Sequence, residues 1–229
     1  MNATITSTAH YVPEKVLTNS DLEKLVDTSD EWIKSRVGIN QRHVVSDGEA
    51  SSDMSTKVAH SLLEKRGISA ANIDVIIIGT VTPDHPTPST AAIVQNNINA
   101  ENAWAFDLSA ACSGFLYALE TGAKFIESGQ YKTIMVIGVD TMTSILDFED
   151  RETCIIFGDG AGGVILEASK SNTGILGSVL KTDGSGAESL NVLAGGSKYP
   201  ASPTTIKNRQ HYIKPVSYTH LTLPTTTIV

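Results

Sequence analysis

The chain has only two cysteines, Cys112 and Cys154, in 229 residues. Two cysteines are too few for a disulfide framework, so we expect a reducing compartment. Basic residues are also in the minority: 17 Lys and Arg stand against 25 Asp and Glu, which gives a formal net charge of −8. Because no long basic run offsets this charge, neither nucleic acid nor an anionic membrane is expected as a partner.

Long apolar runs are missing as well. The longest, such as VIIIG, are far too short to span a bilayer. The opening segment MNATITSTAHYVPEK has no basic stretch followed by an apolar block, so we expect no signal peptide. Hydrophobic residues at 41% and charged residues at 18% are typical of a globular protein. These features together predict a soluble, cytoplasmic protein.

Strand and helix patterns alternate along the chain. Short apolar runs typical of buried strands are IDVIIIGTV, NAWAFDL and YKTIMVIGVD, and helical patterns are STAAIVQNNI and CSGFLYALETGAKFIESG. Such alternation predicts an α/β sandwich with a parallel or mixed sheet. Two earlier helices are predicted to end at Gly38 and Gly67, and the segment CIIFGDGAGGVILEAS is predicted as two strands joined by a glycine-rich turn.

Cys112 stands among small residues in the segment AFDLSAACSGFLYAL. We predict a strand over AFDL, a tight connection over SAA, and a helix that begins at Cys112. Four apolar side chains of this helix are expected to face the core: Phe115, Leu116, Leu119 and Phe125.

A cysteine at a helix N-terminus is suited to nucleophilic chemistry. The unpaired N–H groups and the helix dipole favour the thiolate, and small neighbours leave room for a thioester carbon. The backbone N–H of Cys112 can also donate to an oxyanion. Free cysteine is commonly buried as a small hydrophobe, however, so the residues alone leave both interpretations open. Cys154, beside Ile155 and Ile156, fits burial better.

Three segments occur in order at fitting spacing: DTSDEWIKSRVGINQRH, AACSGFLYAL and DRETCIIFGDGAGG. Together they resemble the β-ketoacyl-acyl-carrier-protein synthase III family of the thiolase superfamily, over residues 2 to about 214. The resemblance implies a thiolase-like layered α/β sandwich and a homodimer. It also implies the condensation of an acyl-CoA starter with malonyl-acyl carrier protein, which releases carbon dioxide and coenzyme A. No cofactor and no metal site is expected.

The resemblance assigns roles to particular residues. It makes Cys112 the active cysteine, and it makes Trp32 and Arg151 the pair that sandwiches the adenine of coenzyme A. An indole and a guanidinium can both stack on a flat base. Thr28 and Arg36 match positions at the coenzyme A mouth, where Arg36 can pair with phosphate.

The acyl pocket is implied by the same resemblance. It places Phe157 near the pocket and Thr87 at a position where many family members carry Phe, at the end of the partner's pocket. A threonine there removes most of a ring's volume, so a longer or branched acyl chain could fit. Alternatively, a neighbouring side chain such as Met142 fills the space that the phenylalanine ring would occupy.

The second half of the family pattern is missing from the sequence. Family members take a catalytic His and Asn from that half, and no HQAN-like motif occurs here. We therefore divide the chain into an N-terminal thiolase-like half (1–170), the beginning of a truncated C-terminal half (171–214) and a non-native tail (215–229). This chain alone is not expected to complete condensation.

The amino acids of the tail match the translation of a sequencing adapter. VSYTHLTLPT, Val216 to Thr225, is what GTC TCT TAT ACA CAT CTG ACG CTG CCG ACG encodes, and that DNA resembles a transposon-end sequencing adapter. A genuine β-rich tail is the alternative. Resequencing the locus decides between them, because a genomic read that continues into VSYTHLTLPT would rule out the adapter.

Two other functions fit parts of the pattern. One is a different condensing enzyme of the thiolase superfamily, for example one of secondary metabolism. The other is a non-catalytic α/β half-domain that mediates dimer contacts. Gene neighbours of fatty-acid synthesis would support the initiating synthase over the first, and acylation of Cys112 would exclude the second.

Overall fold

The computed structural model describes residues 2–169, 171 and 173–215. The predicted adapter segment, 216–225, therefore lies outside the described residues, as does all of the predicted tail 215–229 except Pro215. The strands of the described part are β1 (Asn2–Tyr11), β2 (Lys15–Thr18), β3 (Gln41–Val44), β4 (Val75–Gly79), β5 (Trp104–Leu108), β6 (Thr133–Thr141), β7 (Asp159–Ser169), β8 (Leu190–Val192) and β9 (Ile213–Pro215). The helices are α1 (Asn19–Leu22), α2 (Asp30–Val37), α3 (Ser51–Arg66), α4 (Thr90–Asn97), α5 (Gly114–Glu127), α6 (Arg151–Cys154) and α7 (Pro203–Lys207).

The chain forms two compact units. Of the described residues, the first comprises 2–17, 41–144 and those within 158–180, and the second comprises 18–40, 145–157 and 181–215. The domain division of the sequence near residue 170 follows a family pattern rather than these units, and it stays a prediction.

A five-stranded mixed sheet organises the first unit. Its order is β1-β7-β6-β4-β5, with β4, β5 and β6 parallel and with β7 antiparallel to both β6 and β1. All five residues of β4 are buried because helices cover both faces of the sheet. The predicted α/β sandwich with a parallel or mixed sheet is confirmed.

Each face of the sheet has its own apolar core. On one face Met54, Val58 and Leu62 of α3 and Val94 of α4 pack against β4 and β6. On the other face α5 packs its small residues and Ile126 against Val75, Ile77, Val136 and Leu166. The predicted ends of α2 and α3 are confirmed, since Gly38 and Gly67 both adopt the left-handed conformation that glycine accommodates without strain.

Three details of the secondary structure differ from the predictions. The glycine-rich segment is not a turn between two strands: it lies inside the single strand β7, and α6 occupies the residues before it. Glycine is needed in the strand because a Cβ at Gly163 would lie 2.8 Å from the carbonyl oxygen of Val136. Leu116 does not face the core but is 56% exposed. β5 is at the sheet edge and is not fully buried: Trp104 is exposed and its other four residues are half-buried.

The second unit is built from short elements. Ser29 caps α2 by accepting a hydrogen bond from the backbone N–H of Trp32. Arg209 forms a two-pronged ion pair with the buried Asp147, and this hydrogen bonding holds the pKa of the Asp147 carboxyl below its usual range. Among the residues described, no helix combines the length and apolar character needed to cross a bilayer.

Candidate active site

The carboxyl ends of three parallel strands meet at one edge of the sheet. Gly79 at the end of β4 is in register with Leu108 of β5 and with Gly138 of β6. The chain leaves β5 at this edge and reaches Cys112 four residues later. Loops at the carboxyl ends of parallel strands are where α/β proteins place their reactive groups.

Cys112 lies in a single 3₁₀ turn, Ala111–Ser113, that runs directly into α5. The α-helix begins at Gly114 rather than at Cys112, which corrects the predicted start by two residues. Ala111 has a φ of 46°, a conformation that non-glycine residues rarely adopt and that places backbone strain beside the cysteine. The turn presents Cys112 exposed, next to the N-terminal end of α5 and its dipole.

A cavity of about 510 Å³ opens beside Cys112. Its lining consists largely of glycine from β4, β6 and β7, so few side chains obstruct the sulfur. Besides Cys112, the lining residues are Gly79, Ala111, Phe115, Gly138, Val139, Asp140, Gly158, Gly160, Gly162 and Gly163. The predicted free space around the cysteine is therefore present.

Two glycines allow α5 to approach the sheet closely at its first turn. A Cβ at Gly79 would lie 2.8 Å from the backbone carbon of Gly114, and a Cβ at Gly138 would lie 3.1 Å from the Cβ of Phe115. Contacts under 3.0 Å to backbone are essentially never seen for real Cβ atoms, so Gly79 is required for this approach. Gly114 follows Cys112 by two residues. The small size of Gly79 therefore sets how closely the start of α5, and with it Cys112, approaches the sheet.

Trp32 and Arg151 come together in the second unit. The guanidinium carbon of Arg151 lies 5.0 Å from the centroid of the Trp32 ring, within cation–π range, and Arg151 donates to the carbonyl oxygen of Asp27 at 3.0 Å. A base between two stacked groups needs roughly 7 Å, twice the usual contact distance of about 3.5 Å. An adenine can therefore enter only if the exposed Arg151 side chain moves aside.

Thr28 and Arg36 belong to the same unit as this pair. The hydroxyl oxygen of Thr28 is buried and has no hydrogen-bond partner among the described residues. Arg36 is exposed in the last turn of α2, where it is free to reach an anionic group. Their role at a coenzyme A mouth stays a prediction.

The three residues assigned to the acyl pocket are divided between the units. Thr87, exposed and followed by a cis peptide bond to Pro88, belongs to the first unit, as does the half-buried Met142. Phe157, half-buried, ends a segment of the second unit. Their common role also stays a prediction. In the described part of the chain, no group of three His, Cys, Asp or Glu side chains could hold a metal ion.

Two features of the site were missed from the sequence. Asp140 lines the cavity and anchors the segment after β4, and Gly79 admits the start of α5. A usable signal existed for both, because each lies at the carboxyl end of a run predicted as a buried strand.

Solved structures share this fold. The structure of 3-oxoacyl-[acyl-carrier-protein] synthase III from Aquifex aeolicus matches with a TM-score of 0.83 and 41% identity, over 93% of this chain and 64% of that one. The priming β-ketosynthase of the R1128 polyketide pathway matches with a TM-score of 0.83 and 28% identity, over 93% of this chain and 63% of that one. The fold is thus the thiolase-like fold of the condensing enzymes, as predicted.

Sequence relatives identify the family within this class. The β-ketoacyl-[acyl-carrier-protein] synthase III of Chlorobaculum tepidum is 57% identical over 217 residues, which are 93% of this chain and 66% of the relative. The family model of 3-oxoacyl-[acyl-carrier-protein (ACP)] synthase III matches residues 106–184, which include Cys112. The chain belongs to the β-ketoacyl-acyl-carrier-protein synthase III family. It spans just under two thirds of the length of this relative.

Proposed function

We propose that the complete gene product is an acyltransferase that initiates fatty acid synthesis in the cytoplasm. It takes the acyl group of an acyl-CoA starter onto Cys112 and condenses it with malonyl-acyl carrier protein. The products are 3-oxoacyl-acyl carrier protein, carbon dioxide and coenzyme A. The observation that carries the proposal is the exposed Cys112 in a glycine-lined cavity at the carboxyl edge of the sheet.

The first half-reaction uses groups that this chain contains. The Cys112 thiolate attacks the thioester carbonyl, and the coenzyme A thiolate leaves with the electron pair of the broken C–S bond. The sulfur is accessible for this attack because Cys112 is exposed in the turn that leads directly into α5. The second half-reaction needs the His and Asn that the family takes from its second half, so this chain alone is expected to stop at the acylated cysteine or before it.

Acylation can be tested directly by mass spectrometry. The complete gene product is obtained by sequencing the locus beyond codon 214, and it is incubated with acetyl-CoA. A gain of one acetyl group on the Cys112 peptide supports the enzyme. A folded, complete protein with no gain on that peptide would support the non-catalytic half-domain instead.

We infer that coenzyme A stacks on Trp32, and we expect the variant Trp32→Ala to weaken acyl-CoA binding by about 1–3 kcal/mol, the usual contribution of a base–aromatic stack. Titration calorimetry with acetyl-CoA measures this loss. Trp32→Phe keeps a ring and is the matched control, which should retain most of the affinity. A loss confined to the malonyl-acyl carrier protein half-reaction would contradict the stacking role.

Thr87 is proposed to set the depth of the acyl pocket. We expect Thr87→Phe to lose longer and branched starters selectively, because a ring would refill the space and each buried CH₂ contributes about 0.8 kcal/mol. The measurement compares acetyl-, butyryl-, isobutyryl- and octanoyl-CoA on the wild type and the variant. If both prefer acetyl-CoA to the same degree, Thr87 does not set the depth, and Met142 becomes the candidate.

A homodimer is proposed on the evidence of the exposed edge of the sheet. Within the described part of the chain β5 pairs with β4 alone, and Trp104 on it is 43% exposed. Trp104 stacks on Phe106 with ring centroids 5.3 Å apart and contacts Phe125 and Tyr131. An aromatic edge strand of this kind favours pairing with a second copy. Sedimentation of the complete gene product, with Trp104→Lys as the disrupting variant, tests it.

A secondary-metabolite condensing enzyme is the second candidate. The fold likeness to the R1128 priming β-ketosynthase favours it, as does the small Thr87 at a position where a ring would shorten the pocket. A clear preference for branched or long starters would support this candidate, and a preference for acetyl-CoA would support the initiating synthase.

A further inference from the structure

One oxygen of Asp140 holds the chain segment that follows β4. We name residues 80–82 the β4 exit segment. Asp140 Oδ1 accepts hydrogen bonds from the Thr80 hydroxyl at 3.1 Å, the Val81 backbone N–H at 2.8 Å and the Thr82 hydroxyl at 3.0 Å. Donors from three consecutive residues thus converge on one carboxylate oxygen, and the negative charge of the carboxylate strengthens each hydrogen bond.

The β4 exit segment is also tied on its other sides. Thr82 Oγ1 accepts from the Thr141 backbone N–H at 2.7 Å, and the Thr82 carbonyl oxygen accepts from the Ser51 hydroxyl at 2.7 Å. Both Thr80 and Thr82 are buried. Loss of the Asp140 charge would weaken all three of its hydrogen bonds within a connected buried network, where partly satisfied groups are costly.

The hydrogen bonds to Asp140 are connected to Cys112 through Thr80 and the end of β5. The backbone N–H of Thr80 donates to the carbonyl oxygen of Leu108 at 3.2 Å, and Leu108 is the last residue of β5. From there only three residues lead to Cys112. Asp140 itself lines the same cavity as Cys112. The Asp140 carboxylate therefore forms part of the cavity wall. Through Thr80 it also holds the end of β5, from which the chain runs to Cys112.

We propose that Asp140 is a positioning residue for acyl transfer to Cys112: it holds the β4 exit segment, which in turn holds the end of β5 and the approach to the cysteine. The inference rests on the proposed function of Cys112 as the acyl acceptor. Asp140 acts through the β4 exit segment and exchanges no proton with the substrate. Its loss should slow acylation without changing the reactivity of the free thiol toward a small reagent that needs no positioning.

The test compares Asp140→Asn with Asp84→Asn in the complete gene product. Asp84 is a matched control because it is a carboxylate within the loop after β4 and ties that loop to α3. It accepts from the Ser52 N–H at 2.9 Å and the Ser52 hydroxyl at 2.6 Å, but it is not among the residues that line the cavity. Single-turnover acylation by acetyl-CoA, alkylation of Cys112 by iodoacetamide and the thermal unfolding midpoint are measured for both variants.

We expect Asp140→Asn to slow acylation by about tenfold or more, since small misplacements of reacting groups have effects of this size. Its alkylation rate should stay within about twofold of the wild type, and Asp84→Asn should acylate nearly normally. Equal slowing in both variants, a parallel fall in alkylation, or normal acylation by Asp140→Asn would each overturn the proposal. If Asp140→Asn does not fold, Thr80→Val removes one donor to the same oxygen and should slow acylation in the same selective way, whereas normal acylation would overturn the proposal. Failure of the wild type to acylate Cys112 would instead refute the proposed function.

Discussion

Replacing Cys112 by alanine should abolish the acyl-enzyme and lower condensation by roughly 10⁴-fold or more, the scale seen when the nucleophile of a covalent mechanism is removed. The reason is that, among the described residues, the cavity lining holds no second thiol and no hydroxyl: the other lining residues are glycine, alanine, valine, phenylalanine and Asp140, whose carboxylate is engaged by three hydrogen bonds. Removal of an exposed thiol should leave the unfolding midpoint almost unchanged. Mass spectrometry after incubation with acetyl-CoA and a condensation assay with malonyl-acyl carrier protein measure the two losses.

Cys154 supplies the matched control. It is fully buried in α6, so Cys154→Ala should leave acylation intact and cause only a modest loss of stability from the missing sulfur contacts. The two cysteines thus separate a chemical role from a packing role within one chain. An adduct that survives in Cys112→Ala, or one that disappears in Cys154→Ala, would contradict the assignment.

Local sequence signals predicted the elements of the fold well where one residue sets a boundary. Gly38 ends α2 and Gly67 ends α3 as predicted, because a left-handed glycine cap depends only on neighbours in the chain. The same signals misplaced features that depend on distant neighbours. Leu116 is apolar at a helical spacing that suits the core, yet the sheet lies against the opposite side of α5, which presents small residues.

Glycine illustrates why part of the site could not be predicted. In sequence, Gly160 to Gly163 suggests a turn, since glycine is commonest where the backbone reverses. In the structure these residues continue β7, and Gly163 is small because the carbonyl oxygen of Val136 approaches it from the neighbouring strand. That contact joins residues 27 positions apart, so no local pattern reveals it.

The pair that the resemblance assigns to coenzyme A shows a different limit of sequence-based prediction. Resemblance alone assigned Trp32 and Arg151, which are far apart in sequence, and the structure brings them within 5.0 Å of each other. Their separation was not predictable, and it adds a requirement: the guanidinium must move before a base can be enclosed. Arg151 is exposed and donates one hydrogen bond to the Asp27 carbonyl oxygen, so such a movement breaks little of the surrounding structure.

Substitution of Gly79 by alanine should cause a large loss of both stability and acylation rate. The new Cβ would lie 2.8 Å from the backbone carbon and 3.0 Å from the carbonyl oxygen of Gly114, so the start of α5 must move away from β4. Overpacking of this kind lowers the free energy of unfolding by about 1–3 kcal/mol. Because Cys112 precedes Gly114 by two residues, the cysteine shifts with the helix, and acylation should fall by on the order of 10²-fold.

Gly162→Ala separates displacement of the cysteine from a general effect of adding a methyl group to the cavity wall. Gly162 lines the same cavity, but its nearest contact for a new Cβ is the Ala9 carbonyl oxygen at 3.8 Å, an ordinary van der Waals distance. We expect this variant to keep most of its stability and acylation rate. Single-turnover acylation and denaturant unfolding of both variants provide the comparison. If Gly79→Ala acylates Cys112 as fast as Gly162→Ala does, the close approach of α5 to β4 does not position the nucleophile, and the turn at Ala111 must do so alone.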